Sequence, residues 1–170
     1  NNVLQGKATL HADNVAPYEL IRPYMTWNWN GPSLETMSKS EKDALNASWA
    51  SLLDFCSDED MLAVVDTSGS MHSSYGLPAA VALSLGLYLA EHNKGRFRNH
   101  FIEFSERPQL IRLKGETFVD KLRYILTFDE IADTNLEAVF QLILCVAVKN
   151  KLPQKELPGK LVIISDMEFN

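Results

Sequence analysis

Met61-Leu62-Ala63-Val64-Val65-Asp66-Thr67-Ser68-Gly69-Ser70-Met71 is the stretch on which the fold turns. The apolar run from Leu62 to Val65 stops abruptly at Asp66, and Ser68 and Ser70 follow at every second position. A short, wholly apolar run reads as a strand covered on both faces, as the strands of a parallel sheet are. Its carboxyl end opens into a loop rich in oxygen donors. One carboxylate and two hydroxyls at that spacing can face a single hard divalent cation, which takes oxygen ligands.

Outward from this strand the chain alternates between two periodicities. Residues 77–93 are apolar nearly all round (Leu77, Val81, Leu83, Leu85, Leu87, Leu89) and predict a buried helix, with Pro78 in its first turn. Residues 98–104 predict a second strand, and 109–113 a short third one at an edge. Phe118, Val119, Leu122, Ile125 and Leu126 mark an amphipathic helix over 116–127, and an apolar helix follows over 135–149. A connector, 150–160, leads to a fourth strand, Leu161 to Ile164, which ends in Ser165-Asp166. Upstream, Asn14 to Met25 predicts a short helix interrupted by Pro17 and Pro23. Leu45, Trp49, Leu52 and Leu53 predict a helix over 41–55, with Ser40 and Asp43 as its capping box. Strands alternating with helices argue for an α/β fold with a doubly wound, mainly parallel, Rossmann-like sheet. We therefore divide the chain into a short helical N-terminal extension, 1–57, and an α/β domain, 58–170, expected to be incomplete at its C-terminal end.

Composition narrows the function classes. A chain of 170 residues with 46% hydrophobic and 22% charged content can bury a real core, which argues against disorder. The net charge of −6 gives no general attraction for phosphate backbones. Cys56 and Cys145 have neither metal-ligand spacing nor a disulfide framework, and Cys145 is expected to be a buried small hydrophobe. No uninterrupted apolar run reaches the roughly 18 residues of a membrane span, and no signal peptide is visible. The expectation is a cytoplasmic protein with no membrane partner.

In open α/β sheets ligands gather at the carboxyl ends of the strands, near the point where strand order reverses. Asp66 and Asp166 both stand at strand carboxyl ends, and Thr134-Asn135 opens the helix before the last strand. The candidate metal set is therefore Asp66, Ser68, Ser70, Thr134 and Asp166. Two carboxylates balance a 2+ charge, and the neutral hydroxyls leave the ion electron-poor, so Mg²⁺ (or Mn²⁺ or Ca²⁺) held there still seeks an anionic oxygen. A partner protein's acidic residue could supply it.

Three motifs, Asp66-Thr67-Ser68-Gly69-Ser70, Thr134 in Asp-Thr-Asn-Leu and Asp166 in Ile-Ile-Ser-Asp, resemble in order the metal-ion-dependent adhesion site (MIDAS) of von Willebrand factor A (vWA) domains. The resemblance covers about residues 60–170. It implies a doubly wound sheet, a divalent ion and partner binding rather than catalysis. The sequence departs from that pattern where Met167-Glu168-Phe169 follows the last Asp and where Asp133 precedes the Thr. Asp133 and Glu168 add negative charge beside the ion, and with His72 and Tyr75, just past the first motif, they are the candidate partner-binding residues. Leu4-Gln5-Gly6-Lys7-Ala8-Thr9-Leu10-His11, taken with Ser165-Asp166-Met167-Glu168-Phe169, is similar to an uncharacterised TROVE/Ro-like family with a C-terminal vWA domain. That likeness implies a ribonucleoprotein component binding RNA, although phosphate recognition needs clustered Lys and Arg.

An enzymatic alternative is a Mg²⁺-dependent phosphotransferase with Asp66 as nucleophile. Ser68 stands where such an enzyme needs a second Asp, and no basic residue flanks Asp166, so the residues disfavour it. Trp27 and Trp29 are read as packing on the domain, and His100 as structural.

Overall fold

A computed structural model describes residues 15–25, 31–56, 58, 60–128 and 135–166. Among these residues five α-helices and four strands follow in chain order: α1 (Pro17–Ile21), α2 (Lys39–Ala50), β1 (Met61–Asp66), α3 (Ser73–His92), β2 (His100–Phe104), β3 (Gln109–Arg112), α4 (Phe118–Ile125), α5 (Leu136–Lys149) and β4 (Lys160–Ile164). The strands form one sheet of order β3-β2-β1-β4. β1 pairs in parallel with β2 and with β4, while β3 runs antiparallel to β2 at one edge. The chain is thus mixed α/β around a mostly parallel four-stranded sheet.

β1 is buried along its whole length, because strands flank it and helices cover both faces. Its side chains alternate in the manner of any strand. Ala63 and Val65 join a cluster with Phe101, Leu83 and Leu87 of α3 and Leu122 of α4. Leu62 and Val64 join Ile102, Phe104 and Val139 of α5 on the other face. The first cluster also contains Ile21, Leu45 and Trp49, so α1 and α2 share one core with the strands. β4 is apolar but only half-buried, since β1 is its one neighbour among the described strands.

The capping box of α2 lies two residues upstream of the expected pair. Ser38 and Glu41 form it, the Ser38 hydroxyl donating to Glu41 Oε2 over 2.7 Å and accepting from the Glu41 N–H over 3.3 Å. Thr117 and Asp120 repeat the device at α4. The Ser38 hydroxyl and backbone N–H hold the Glu41 carboxyl below its ordinary value, and Thr117 does the same for Asp120. Depressed carboxyls contribute stability above their unfolded values of about 4 and lose it as pH falls toward the folded ones. Thermal denaturation should therefore show helix stability dropping below about pH 4, with a shallower slope in a Ser38→Ala, Thr117→Ala double variant.

α3 ends its irregular entry at Gly76 and is regular from Leu77, where the sequence puts the helix start. Ser74, Tyr75 and Gly76 take left-handed backbone angles, with φ of 51°, 56° and 68°. The segment Gly69–His92 is long and apolar enough, by length and composition alone, to cross a membrane, and 56% of its most apolar window is buried inside the protein. Cys145 departs from the expected burial. It lies exposed on the outer side of α5, with Phe140, Leu144 and Val148, because only the opposite stripe of that apolar helix meets the sheet.

Gly86 sets the distance between α3 and β1. A Cβ at this position would lie 2.3 Å from Val65 Cγ2. Val65 is stiff at χ1 and fully buried one residue before Asp66, so it cannot yield cheaply. Gly86→Ala should destabilise the protein by about 1–3 kcal/mol in urea unfolding, despite the better helix propensity of Ala.

Candidate metal centre

β1 and β4 run in parallel with Val65 level with Ile164, so both strands end on one rim of the sheet, Asp66 beside Ser165. Asp66 is fully buried, and two loops meet on its carboxylate. Oδ1 accepts the backbone N–H of Ser68 over 2.9 Å. Oδ2 accepts the hydroxyl of Ser165 over 2.5 Å. The first bond curls the chain after β1 back on its own aspartate, as Asx turns do. It brings the Ser68 and Ser70 hydroxyls to 3.1 Å from each other. A short 3₁₀ turn, Gly69–His72, follows, and Met71 at 2% exposure anchors it in the core.

The structure thus brings together Asp66, Ser68 and Ser70, and puts Asp166, exposed, next to Ser165 on the same rim. Thr134, Asp133 and Glu168 lie outside the described residues, as do Trp27, Trp29 and the segments 1–14 and 167–170. Asn135 is the N-cap of α5, its side chain accepting the Ala138 N–H over 3.0 Å, so this cap does not depend on Thr134. The C-terminal end of α5 leads to the start of β4, and Leu136 and Val139 share a cluster with Phe104 at the end of β2. The amino end of α5 therefore lies toward the rim that carries Asp66. His72 is half-buried at the end of the 3₁₀ turn, and Tyr75 is 87% exposed in the left-handed stretch beyond it.

Four residues of this rim escaped the sequence reading as site residues: Ser165, Thr67, Glu103 and Ser105. Glu103, on β2, is 4% exposed. It accepts the Thr67 hydroxyl on Oε1 over 3.3 Å and the Ser105 hydroxyl on Oε2 over 3.1 Å. Its signal in the sequence is a carboxylate inside the apolar run Phe101-Ile102-Glu103-Phe104.

The donor chemistry fits a hard cation. The loops converge with a buried carboxylate, neighbouring hydroxyls and a second carboxylate at the rim, all oxygen and none of the sulfur or imidazole that softer metals take. Among the described residues no group of three or more His, Cys, Asp or Glu side chains clusters as a metal-binding set. Any ion here would lean on hydroxyls and water as well as on carboxylates.

Residues 60–170 match a protein family described as a domain of unknown function (DUF7788). The chain is also 31% identical over 166 residues to the uncharacterized protein L728 of Acanthamoeba polyphaga mimivirus, an alignment covering 98% of this chain and 27% of that protein. The chain thus spans little more than a quarter of the length of this relative. No solved structure matches. On the family match, which covers well over half of its residues, the chain belongs to the DUF7788 family.

Proposed function

We propose that this chain is a non-enzymatic, divalent-metal-dependent binding domain of the MIDAS type, on a doubly wound, vWA-like sheet. One observation carries the reading: the loops after β1 and β4, distant in sequence, meet on the carboxylate of Asp66 through the Ser68 N–H and the Ser165 hydroxyl, with the Ser68 and Ser70 hydroxyls paired in the same turn. Mg²⁺ keeps several waters and needs only one or two protein carboxylates. Asp66 and Asp166 would supply these, with Ser68, Ser70 and Thr134 as neutral donors. An ion held mainly by neutral donors keeps affinity for an outside carboxylate, so the partner is a protein presenting an acidic residue over the rim. His72, Tyr75, Asp133 and Glu168 would flank that contact. Tyr75, almost wholly exposed, is suited to meet the partner directly.

Titration calorimetry with Mg²⁺ or Mn²⁺ tests this reading. Saturable heat is expected for the wild-type protein and none for Asp66→Ala; equal and undetectable heats in both would remove the proposal. The phosphotransferase reading gains nothing from the geometry. Ser68 stands where a general acid/base is needed, and its hydroxyl lies against that of Ser70.

A further inference from the structure

α5 is apolar on the side that meets solvent as well as on the side that meets the sheet. Its 14 residues include two charges only, Glu137 in the first turn and Lys149 in the last. Val139, Ile143 and Val146 share a cluster with Leu62, Val64 and Phe104 of the sheet. On the other side Phe140, Leu144 and Val148 are 49%, 59% and 78% exposed. A surface helix ordinarily turns polar residues to water, and a helix apolar all round is ordinarily covered all round. The helix dipole accounts for an acid in the first turn and a lysine in the last. It does not account for the apolar stripe between them.

The order of these residues is self-complementary. Phe140 and Val148 stand four positions either side of Leu144, and Glu137 and Lys151 stand seven. Lys151 is exposed just past the C-cap Asn150, two residues beyond Lys149. Spacings of three and four residues keep side chains on one helix face. Two copies of α5 laid antiparallel, with Leu144 on the two-fold axis, therefore bring Phe140 of each to Val148 of the other. The same alignment brings Glu137 of each to the lysines of the other. Parallel copies would set glutamate on glutamate and lysine on lysine. Glu137 Oε1 accepts the Gln141 amide over 3.0 Å, and among the described residues no ion pair engages Glu137, Lys149 or Lys151.

We propose that the outer face of α5 is the contact of a two-fold homodimer, with Phe140, Leu144 and Val148 at its apolar centre and Glu137 against the lysines of the second copy at each end. A contact of this kind uses the same patch on both copies and closes at two. A single helix pair is a small interface, so the association is reversible and concentration-dependent.

Sedimentation equilibrium over a dilution series tests the proposal, in chelator so that the result does not depend on the metal centre. The chain should move from its monomer mass of 19.1 kDa toward twice that mass as concentration rises. Leu144→Glu places like charges on the axis and should stay at the monomer mass, while keeping the melting temperature of the dilute wild type because the site is exposed. Glu137→Lys sets lysine against lysine, and Lys149→Glu with Lys151→Glu sets glutamate against glutamate. Each of these two chains alone should associate on the order of tenfold or more weakly than wild type, and an equimolar mixture of them should regain the wild-type dimer. Cys145, exposed beside Leu144, supplies a second readout. In a Cys56→Ser background a short bismaleimide should link the chains in pairs, and Leu144→Glu should prevent the link. A wild-type chain that stays at the monomer mass throughout the series overturns the proposal and leaves the face to another occupant. A dimer that survives Leu144→Glu overturns it too, because the copies would then meet elsewhere. Should Leu144→Glu lose its fold, the mixture decides: association no tighter than that of its components overturns the proposal.

Discussion

Asp66→Asn is expected to leave the protein at least as stable as wild type in chelator, yet to abolish its stabilisation by divalent ions. Asp66 is wholly buried and its carboxylate accepts from the Ser68 N–H and the Ser165 hydroxyl. The asparagine has the same shape. Its carbonyl can keep the Ser68 bond, and its amide can donate to Ser165, reversing the direction of the second bond. What it loses is a buried negative charge, whose burial is unfavourable without a cation to balance it. The wild-type chain should behave in the opposite way. A ligand that binds only the folded state at about 100 times its Kd adds about 2.7 kcal/mol. For a chain of this size each kcal/mol moves Tm by about 2–4 °C, so saturating Mg²⁺ should raise the wild-type Tm by roughly 5–11 °C. The variant should show no rise. A comparable Mg²⁺-dependent rise in Asp66→Asn would mean that the ion binds elsewhere, and the rim would lose its proposed role.

The legibility of this chain followed from how much each feature depends on local pattern. β1 and the turn after it could be read at once, because an apolar run ending in Asp-x-Ser-x-Ser states both burial and polarity within ten residues. The placement of Asp66 and Asp166 at strand carboxyl ends was also legible, and the register of β1 and β4 sets those two ends side by side. Glu103 was not legible as a site residue. A lone carboxylate in a strand reads as an outward-facing residue until the loops that deliver Thr67 and Ser105 are known, and those contacts span 36 and 2 residues. Cys145 failed for the opposite reason. Its apolar neighbours predict burial, but whether a helix is covered on one side or two depends on what packs against it, and in α5 the sheet meets only one stripe. The cap of α2 slipped by two residues because Ser38 and Ser40 both precede an acid at the correct spacing. The side chains decide between them: the carboxylate of Glu41 reaches the backbone N–H of Ser38 over 2.7 Å.

The second large effect concerns Trp49, which joins the helical extension to the α/β part. Its ring is 7% exposed and stacks on Phe118, the first residue of α4, with centroids 4.2 Å apart and planes 12° from parallel. Its edge meets Tyr88 of α3. The indole N–H donates to Glu91 Oε2 over 2.6 Å, and the other oxygen of that carboxylate takes Lys121 at 2.5 Å. One side chain therefore touches α3 and α4 at once, next to the point where Asn46 of α2 accepts the Val119 N–H. Trp49→Ala should cost about 3–5 kcal/mol, the range for emptying a buried aromatic site, and lower Tm by roughly 6–20 °C. Trp49→Phe preserves most of the stacking and removes only the donor. Glu91 keeps Lys121, so the expected loss is about 1–2 kcal/mol. The two variants also separate packing from site chemistry. The interactions of Trp49 are with α3 and α4, away from the rim, so metal affinity per folded molecule should be the same in Trp49→Phe as in wild type. A large loss of affinity in that variant would show the extension and the rim to be energetically coupled through α3, the helix that begins just after Ser70 and carries both Tyr88 and Glu91.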